Sequence, residues 1–254
     1  MQPVSVVIIA KNEAHILART LQSIRSLTDD IVVCDTGSND ATIPIAKKNG
    51  ATTIEEEWQG YGKTKNIANE HAVYDWILQL DADEAIDKEL IQSISALDLE
   101  DEKQVFSIRR KNFFKNKWIR FGEWGKDESI RLFHRNQASW NTDPVHEKLI
   151  IEKGCVIKKL KGNILHMTLQ SVEQYEKKIE SYGKMSAEKY LKEGRKGAVY
   201  KQFAAPVFSF ISNYFLKLGF LDGREGFILA SMTSTYTRIK YKTLYKLQRT
   251  QNKV

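Results

Sequence analysis

Apolar and polar positions fall in alternating blocks along the first hundred residues. Val4–Ile9 is a β-branched run that predicts a buried parallel strand. In Ala14–Leu27, Ile16, Leu17, Leu21 and Ile24 share one face at helical spacing. The alternation then repeats. Asp30–Cys34 predicts a second strand, ending in Asp35-Thr36-Gly37-Ser38-Asn39-Asp40, where Ser38 or Asn39 can cap a helix that continues through Ala46. A strand at Ala51–Ile54, a helix at Lys63–Ala72, a strand at Asp75–Leu80 and a helix at Lys88–Leu97 complete the series.

Strand-helix alternation implies an α/β fold with a mainly parallel sheet flanked by helices. Ligands bind such sheets in the crevice outside the carboxyl ends of the strands. Three polar clusters follow strands here: Ala10-Lys11-Asn12-Glu13, Asp35-Thr36-Gly37 and Asp81-Ala82-Asp83. From Gln104 the texture changes. Val105–Arg110, Ser129–Phe133 and Val156–Leu160 predict strands, separated by a stretch holding Trp118, Trp124 and Trp140. From Ser171 helices are expected, with Val172, Tyr175, Ile179, Tyr182 and Met185 in phase, then Val199–Leu218 and about Arg224–Leu247. The expected division is a sheet domain over 1–168, itself in halves 1–100 and 101–168, and a helical region over 169–254.

The 254 residues can hold one large α/β domain with an appendage, and a hydrophobic fraction of 42% beside 28% charged residues excludes a disordered chain. Cys34 and Cys155 lie in apolar stretches without framework spacing, as buried thiols in a reducing cytoplasm do. The opening apolar run is too short for a signal-peptide core, and no basic residue precedes it. The longest uncharged run, Gln202–Leu216, falls short of the roughly 20 residues that span a bilayer. A soluble or peripheral protein is expected.

Charge is unevenly spread. Residues 1–100 carry a net −9 and the remainder +16, and no acidic residue follows Glu225. A basic half of this kind suits a polyanion: nucleic acid, phospholipid headgroups or a phosphorylated glycolipid. Arg238, Lys240, Lys242 and Lys246 interleave with Ile239, Tyr241, Leu244 and Tyr245, and with Phe203, Phe208 and Phe215 upstream they suit a surface lying on anionic lipid. A helical subdomain whose apolar face is core fits equally well. No nucleic-acid-binding signature accompanies the basic residues, so no nucleic-acid partner is expected.

Asp81 and Asp83 lie just past the strand Trp76-Ile77-Leu78-Gln79-Leu80, and two carboxylates so close repel unless a cation or proton lies between them. Oxygen donors of this kind suit Mg²⁺ or Mn²⁺ shared with substrate phosphates. Acids that merely cap the next helix would look the same. Asp35, about 20 residues past the first strand-helix turn, is placed for a ribose or base, or for an Asx turn around Gly37. Asn12 and Glu13 are either ligand contacts or helix-start residues. Lys63 and Lys65 either reach a phosphate or base in the same crevice or are solvated. For Asp127 an ion pair with Lys126, Arg131 or Arg135 is the structural alternative to chemistry. Trp118, Trp124 and Trp140 could stack on sugar faces or fill a core.

Taken in order, Ser5-Val-Val-Ile-Ile-Ala-Lys-Asn-Glu13, Asp35-Thr-Gly-Ser-Asn-Asp-Ala-Thr42, Gly62-Lys-Thr-Lys-Asn66 and Leu80-Asp-Ala-Asp-Glu84 resemble a family 2 glycosyltransferase of the GT-A fold. Trp124-Gly-Lys-Asp127, Arg131-Leu-Phe133, Pro144-Val-His-Glu147, Leu165-His166 and Gly219-Phe-Leu-Asp-Gly223 extend the likeness to bacterial lipopolysaccharide or lipooligosaccharide inner-core β-glucosyltransferases.

The resemblance implies inverting transfer of a hexose, glucose above all, from a UDP-sugar to a lipid A-core acceptor, with heptose as the acceptor sugar. Residues 1–100 would be the nucleotide-binding half, 101–168 the acceptor and catalytic half, and 169–254 a membrane-surface or acceptor-binding part. In that scheme Ala10, Asn12, Glu13 and Asp35 meet the uridine, with Lys63 and Lys65 as further donor contacts. Asp81 and Ala82 hold the donor, and Asp83, with Asp81, holds a Mg²⁺ or Mn²⁺ ion. The family recruits a late histidine, so His166, and less so His146, is a further candidate metal ligand. Inversion needs a carboxylate to take the acceptor's hydroxyl proton. Asp127 matches that position, although this chain has Asp127-Glu128 where a Glu-Asp pair is usual, which leaves Glu128 a rival. The implied location is cytoplasmic, peripheral on the inner face of the cytoplasmic membrane. A sugar nucleotidyltransferase would carry a similar sheet and metal acids, but it calls for a Gly-rich basic loop where Ala10-Lys11-Asn12-Glu13 stands. A non-catalytic polyanion binder would leave Asp35, Asp81, Asp83 and Asp127 without a purpose.

Overall fold

The computed structural model describes residues 3–142, 148–169, 172–195, 197 and 199–251. The chain divides into two compact units, Met1–Arg110 with Glu128–His166, and Lys111–Asp127 with Met167–Val254. The helical unit thus begins after His166 and also takes in Lys111–Asp127, a segment that the sequence pattern alone assigns to the sheet domain.

In the first unit, β1 (Val4–Ala10), β2 (Ile31–Asp35), β3 (Thr52–Glu55) and β4 (Trp76–Asp81) form a parallel block in the order β3-β2-β1-β4. Helices α1 (Leu17–Ile24), α2 (Thr42–Lys48) and α3 (Tyr61–Glu70) connect them, and α4 (Lys88–Ser95) follows. The β-branched runs are strands because both of their faces are covered. Val4, Val6 and Ile8 join one core with Leu17, Leu21, Leu90 and Ile94, while Val7 points the other way to Ala68, Ile77 and Phe133.

The parallel pattern stops at β4. The sheet continues through β8 (Asp127–His134), β6 (Gln104–Phe114), β11 (Val156–Leu169) and β5 (Glu84–Ile86), with β8 antiparallel to β4 and β5 antiparallel to β11. The fold is therefore α/β, with a mixed sheet where a mainly parallel one is expected. The first half alone carries strand-helix alternation, and that alternation is what dictates parallel pairing. β9 (Ala138–Trp140) and β10 (Leu149–Ile151) form a separate hairpin.

In the second unit, β7 (Lys117–Trp118) pairs with the end of β6. α5 (Val172–Lys192) packs along α7 (Gly223–Gln251) so closely that a Cβ on Gly183 would lie 2.8 Å from Ile239 Cγ2. The long helix expected over Val199–Leu218 is instead α6 (Lys201–Ile211) followed by a π-helical turn at Ser212–Leu216, closed by Lys217 N–H donating to the Ser212 carbonyl. Among the described residues no single helix is long and apolar enough to cross a membrane.

Candidate active site

The parallel register brings the three polar clusters to one level, with Ala10 beside Asp35 across β1–β2 and Ile9 beside Asp81 across β1–β4. The loops after β1 and β2 are tied together there. Asn12, at φ 57°, donates its N–H to Ser38 Oγ at 2.8 Å and accepts from Asn39 N–H at 2.9 Å. Glu13 N–H donates to Thr42 Oγ1, and the buried Ala10 carbonyl accepts from Thr36 N–H.

Neither Ser38 nor Asn39 caps α2. The helix starts at Thr42, whose N–H donates to Asp40, because Ser38 and Asn39 are engaged by Asn12 and Asp35. Asp35 is 1% exposed and forms the Asx turn, accepting from the N–H groups of Gly37 at 3.0 Å and Ser38 at 2.8 Å and from the Ser38 hydroxyl at 2.5 Å. Whatever Asp35 does for a ligand, it also sets the shape of this loop.

Asp81 ends β4 in a nest of cations. Lys65 Nζ lies 3.5 Å from Oδ1, and Arg131 and Arg110 approach Oδ2 at 3.5 and 4.0 Å. Partial burial pushes the Asp81 carboxyl up, but the positive charge of Lys65, Arg131, His166 and Arg110 outweighs it and holds the group well below the usual carboxylate range. Lys65 and Lys63 part company because two helical residues span about 200° of rotation. Lys65 is buried against Asp81 and 4.3 Å from the Trp140 ring centroid, whereas Lys63 is exposed. Trp140 is thus neighbour to a cation, and its backbone is bracketed by Asn66, which donates to its carbonyl and accepts from its N–H.

Glu84 belongs to the Asp81-Ala82-Asp83-Glu84 cluster in the sequence, which gives it no role of its own. It is fully buried, accepts from Arg110 at 2.9 Å, from Arg131 at 2.8 Å and from the Asp81 N–H at 2.9 Å, and so fixes both guanidinium groups beside Asp81. Its burial has no local signal in the sequence, because the two arginines that hold it come from β6 and β8. Ala82 is buried, and its carbonyl accepts from Thr20 Oγ1.

Asp83 points elsewhere. Its Oδ2 lies 3.3 Å from His166 Nε2, both side chains being partly open to solvent. The β11–β5 pairing sets His166 opposite Glu84, next in sequence to Asp83. One carboxylate and one imidazole fit Mg²⁺ or, better, Mn²⁺, with phosphate oxygens and water as the remaining ligands. Among the described residues no group of three or more acidic, His or Cys side chains is placed to hold a metal by itself. Asp81, already paired with cations, suits the donor side of such a site better than direct ligation.

Asp127 and Glu128 open β8 and so point to opposite faces. Asn112 Nδ2 donates to Asp127 Oδ2 at 3.0 Å. Two of the cations offered to Asp127 by the sequence are engaged elsewhere, Arg131 with Asp81 and Glu84 and Arg135 with Asp75. Glu128 pairs with Lys159 and accepts from Ser107 at 2.8 Å, and these hydrogen bonds, that of Lys159 foremost, lower its pKa. Trp124 packs edge-on against Tyr175, and Trp118 lies under Lys111 and Arg120. His146 and Glu147 lie outside the described residues.

The model of the glycosyl transferase family 2 matches residues 5–153, more than half of the chain. The chain is a family 2 glycosyltransferase. An uncharacterized glycosyltransferase of Rickettsia typhi is 31% identical to it over 240 residues, which covers 90% of this chain and 82% of the relative. The lipopolysaccharide core biosynthesis glycosyltransferase LpsC of Rhizobium meliloti is 26% identical over 255 residues, covering 96% and 92% of the two chains. The crystal structure of S. aureus TarS 1-349 superposes with a TM-score of 0.48 at 15% identity, covering 98% of this chain and 91% of that one. The part of this glycosyltransferase that matches the family holds Asp35, Lys65, Asp81, Asp83 and Asp127, whereas His166 lies 13 residues beyond it.

Proposed function

We propose that this glycosyltransferase moves a hexose, glucose in the first instance, from a UDP-sugar to the heptose of a lipopolysaccharide or lipooligosaccharide core, with inversion. The observation that carries the donor reading is the pairing of Asp83 with His166 beside the Lys65–Asp81–Arg131 cluster at the end of β4. Asp83 and His166 would hold the divalent cation. That ion, when bound, neutralises charge on the departing diphosphate. Lys65, Arg110 and Arg131 add fixed positive charge in the same place, balanced in the resting enzyme by Asp81 and Glu84. Asn12, Glu13 and Asp35, in the tied loops after β1 and β2, are assigned to the nucleoside.

Transfer in one displacement requires the acceptor hydroxyl to lose its proton as it attacks the anomeric carbon. Asp127 is assigned that proton. The rival Glu128 is engaged by Lys159 and Ser107, which favours Asp127. The acceptor reading is supported by LpsC, whose name states core biosynthesis, and by the basic half of the chain. A lipid-linked acceptor of that kind places the enzyme at the cytoplasmic face of the membrane.

The test is a panel of nucleotide sugars screened by thermal shift with Mg²⁺ or Mn²⁺, since a ligand that binds only the folded state raises its melting temperature. A shift with UDP-sugars alone, dependent on the cation, is expected, followed by transfer to a heptose-terminated core glycolipid. A response to other nucleotides, or none to any, contradicts the donor assignment.

A further inference from the structure

One helix of the second unit, α6, leaves a broad apolar face uncovered. Against α7, Phe210 packs edge-on on Phe227 with ring centroids 5.7 Å apart, Ser234 Oγ donates to the Pro206 carbonyl at 2.9 Å, and Thr237 Oγ1 donates to Ser209 Oγ at 3.3 Å. The other face carries Tyr200, Phe203, Val207, Phe208 and Ile211, all exposed. At 3.6 residues per turn these side chains fall within about half of the circumference. Phe203 and Phe208 are 67% and 68% exposed, and the following turns hold further exposed apolar residues, Phe215, Leu216, Leu218 and Leu221. Scattered exposed apolar residues need no explanation, whereas a continuous face marks a contact surface.

Charge identifies what covers it. Lys201, Lys217 and Arg224 punctuate the segment, and the β6–β7 hairpin is held against its turn, with Lys117 Nζ donating to the Asp222 carbonyl at 2.5 Å and Gly122 N–H to the Lys217 carbonyl at 2.9 Å. That hairpin adds Lys111 and Arg120, stacked on Trp118. Of the acids in these segments two are already committed, and the exposed Glu123 is outnumbered by Lys111, Arg120, Lys201, Lys217 and Arg224. Asp222 is buried and accepts from the Arg120 and Phe121 N–H groups, and Glu225 pairs with Lys117. An apolar face rimmed by cations complements anionic headgroups, while a second copy of the chain would bring like charges together. The eleven residues of α6 rise only about 16 Å, too little to span a bilayer, and the limbs Lys201–Leu216 and Gly219–Gln251 are bent by 70°.

We propose that this face of α6 and the turn after it seat the enzyme on an anionic phospholipid bilayer, the aromatic and aliphatic side chains entering the headgroup boundary and the lysines and arginines meeting phosphates. The inference rests on the membrane location given in the proposed function, but its test uses neither donor nor acceptor. Full-length protein is sedimented with vesicles rich in phosphatidylglycerol and with vesicles of phosphatidylcholine alone, beside a variant carrying Phe203→Ser, Phe208→Ser and Leu216→Ser. Wild type should pellet preferentially with the anionic vesicles, and the variant should lose about tenfold or more of that partitioning. Its circular-dichroism melt and any cation-dependent shift with nucleotide should stay as in wild type, because the replaced side chains are exposed. Equal partitioning of variant and wild type, no pelleting of wild type, or no preference for anionic lipid overturns the proposal. So does a wild-type dimer in light scattering that the variant converts to monomer. Membrane binding without transfer, or transfer without membrane binding, separates the fate of this inference from that of the glycosyltransferase reading.

Discussion

His166 Nε2 lies 3.3 Å from Asp83 Oδ2, and the antiparallel pairing of β11 with β5 is what sets them together. Asp83→Ala should weaken Mn²⁺-dependent nucleotide binding by about a hundredfold or more and abolish transfer, and His166→Ala should do the same to a lesser degree. Titration calorimetry in the presence and absence of Mn²⁺ reads the binding. Normal cation-dependent binding in both variants would remove the pair from the site.

Asp127→Asn should leave donor binding intact while kcat falls by about 10²- to 10⁴-fold, the usual worth of a positioned general base. Glu128→Gln, whose parent side chain is held by Lys159 and Ser107, should retain most of its turnover. Steady-state kinetics with the two variants decides between the neighbours, and the reverse ranking would transfer the role to Glu128.

Glu84→Ala should destabilise the fold by about 3–5 kcal/mol, because it strips Arg110 and Arg131 of a fully buried partner. Urea denaturation measures the loss. A change below about 1 kcal/mol would mean that Asp81 alone can hold both guanidinium groups.

Gly62 explains part of a motif. A Cβ there would stand 1.8 Å from the Asn141 carbonyl oxygen, so Gly62→Ala must displace either the start of α3 or the chain beyond β9. Lys65 is one turn further along the same helix, and nucleotide affinity should fall together with melting temperature. Thermal shift with and without nucleotide checks both, and an alanine variant that binds and melts normally would contradict the geometry.

Much of this was legible in the sequence. The buried strands Val4–Ala10, Ile31–Asp35 and Trp76–Asp81 announce themselves by apolar runs, and their polar tips mark the crevice because parallel strands end on one side. What stayed hidden depends on non-local pairing. β5 is three residues long, too short for a periodic pattern, and so the Glu84–Arg110–Arg131 cluster could not be read from local sequence. Likewise Lys63 and Lys65 look equivalent in the chain, and only the packing of α3 against β9 buries the second. The cap of α2 was misplaced for a similar reason, since Asn12 on another loop claims Ser38 and Asn39.

The thiols give a test independent of catalysis. Burial, reinforced by the negative charges of Glu56 and Asp35, pushes the Cys34 thiol up to about 11, so its thiolate is scarce until the pH approaches that value. Iodoacetamide at mildly alkaline pH should therefore modify the partly exposed Cys155 well before Cys34, as peptide mass spectrometry would show. Equal labelling would mean that the second strand opens readily.

In the proposed function, the nucleotide diphosphate site depends on a divalent cation held by Asp83 and His166. Calorimetric titration of UDP into wild type and Asp83→Ala, each with Mn²⁺ and with EDTA, tests it most directly. Binding by wild type that needs Mn²⁺, and no such dependence in the variant, is the predicted result. UDP binding that is equally tight with EDTA, or unaltered by Asp83→Ala, would contradict it.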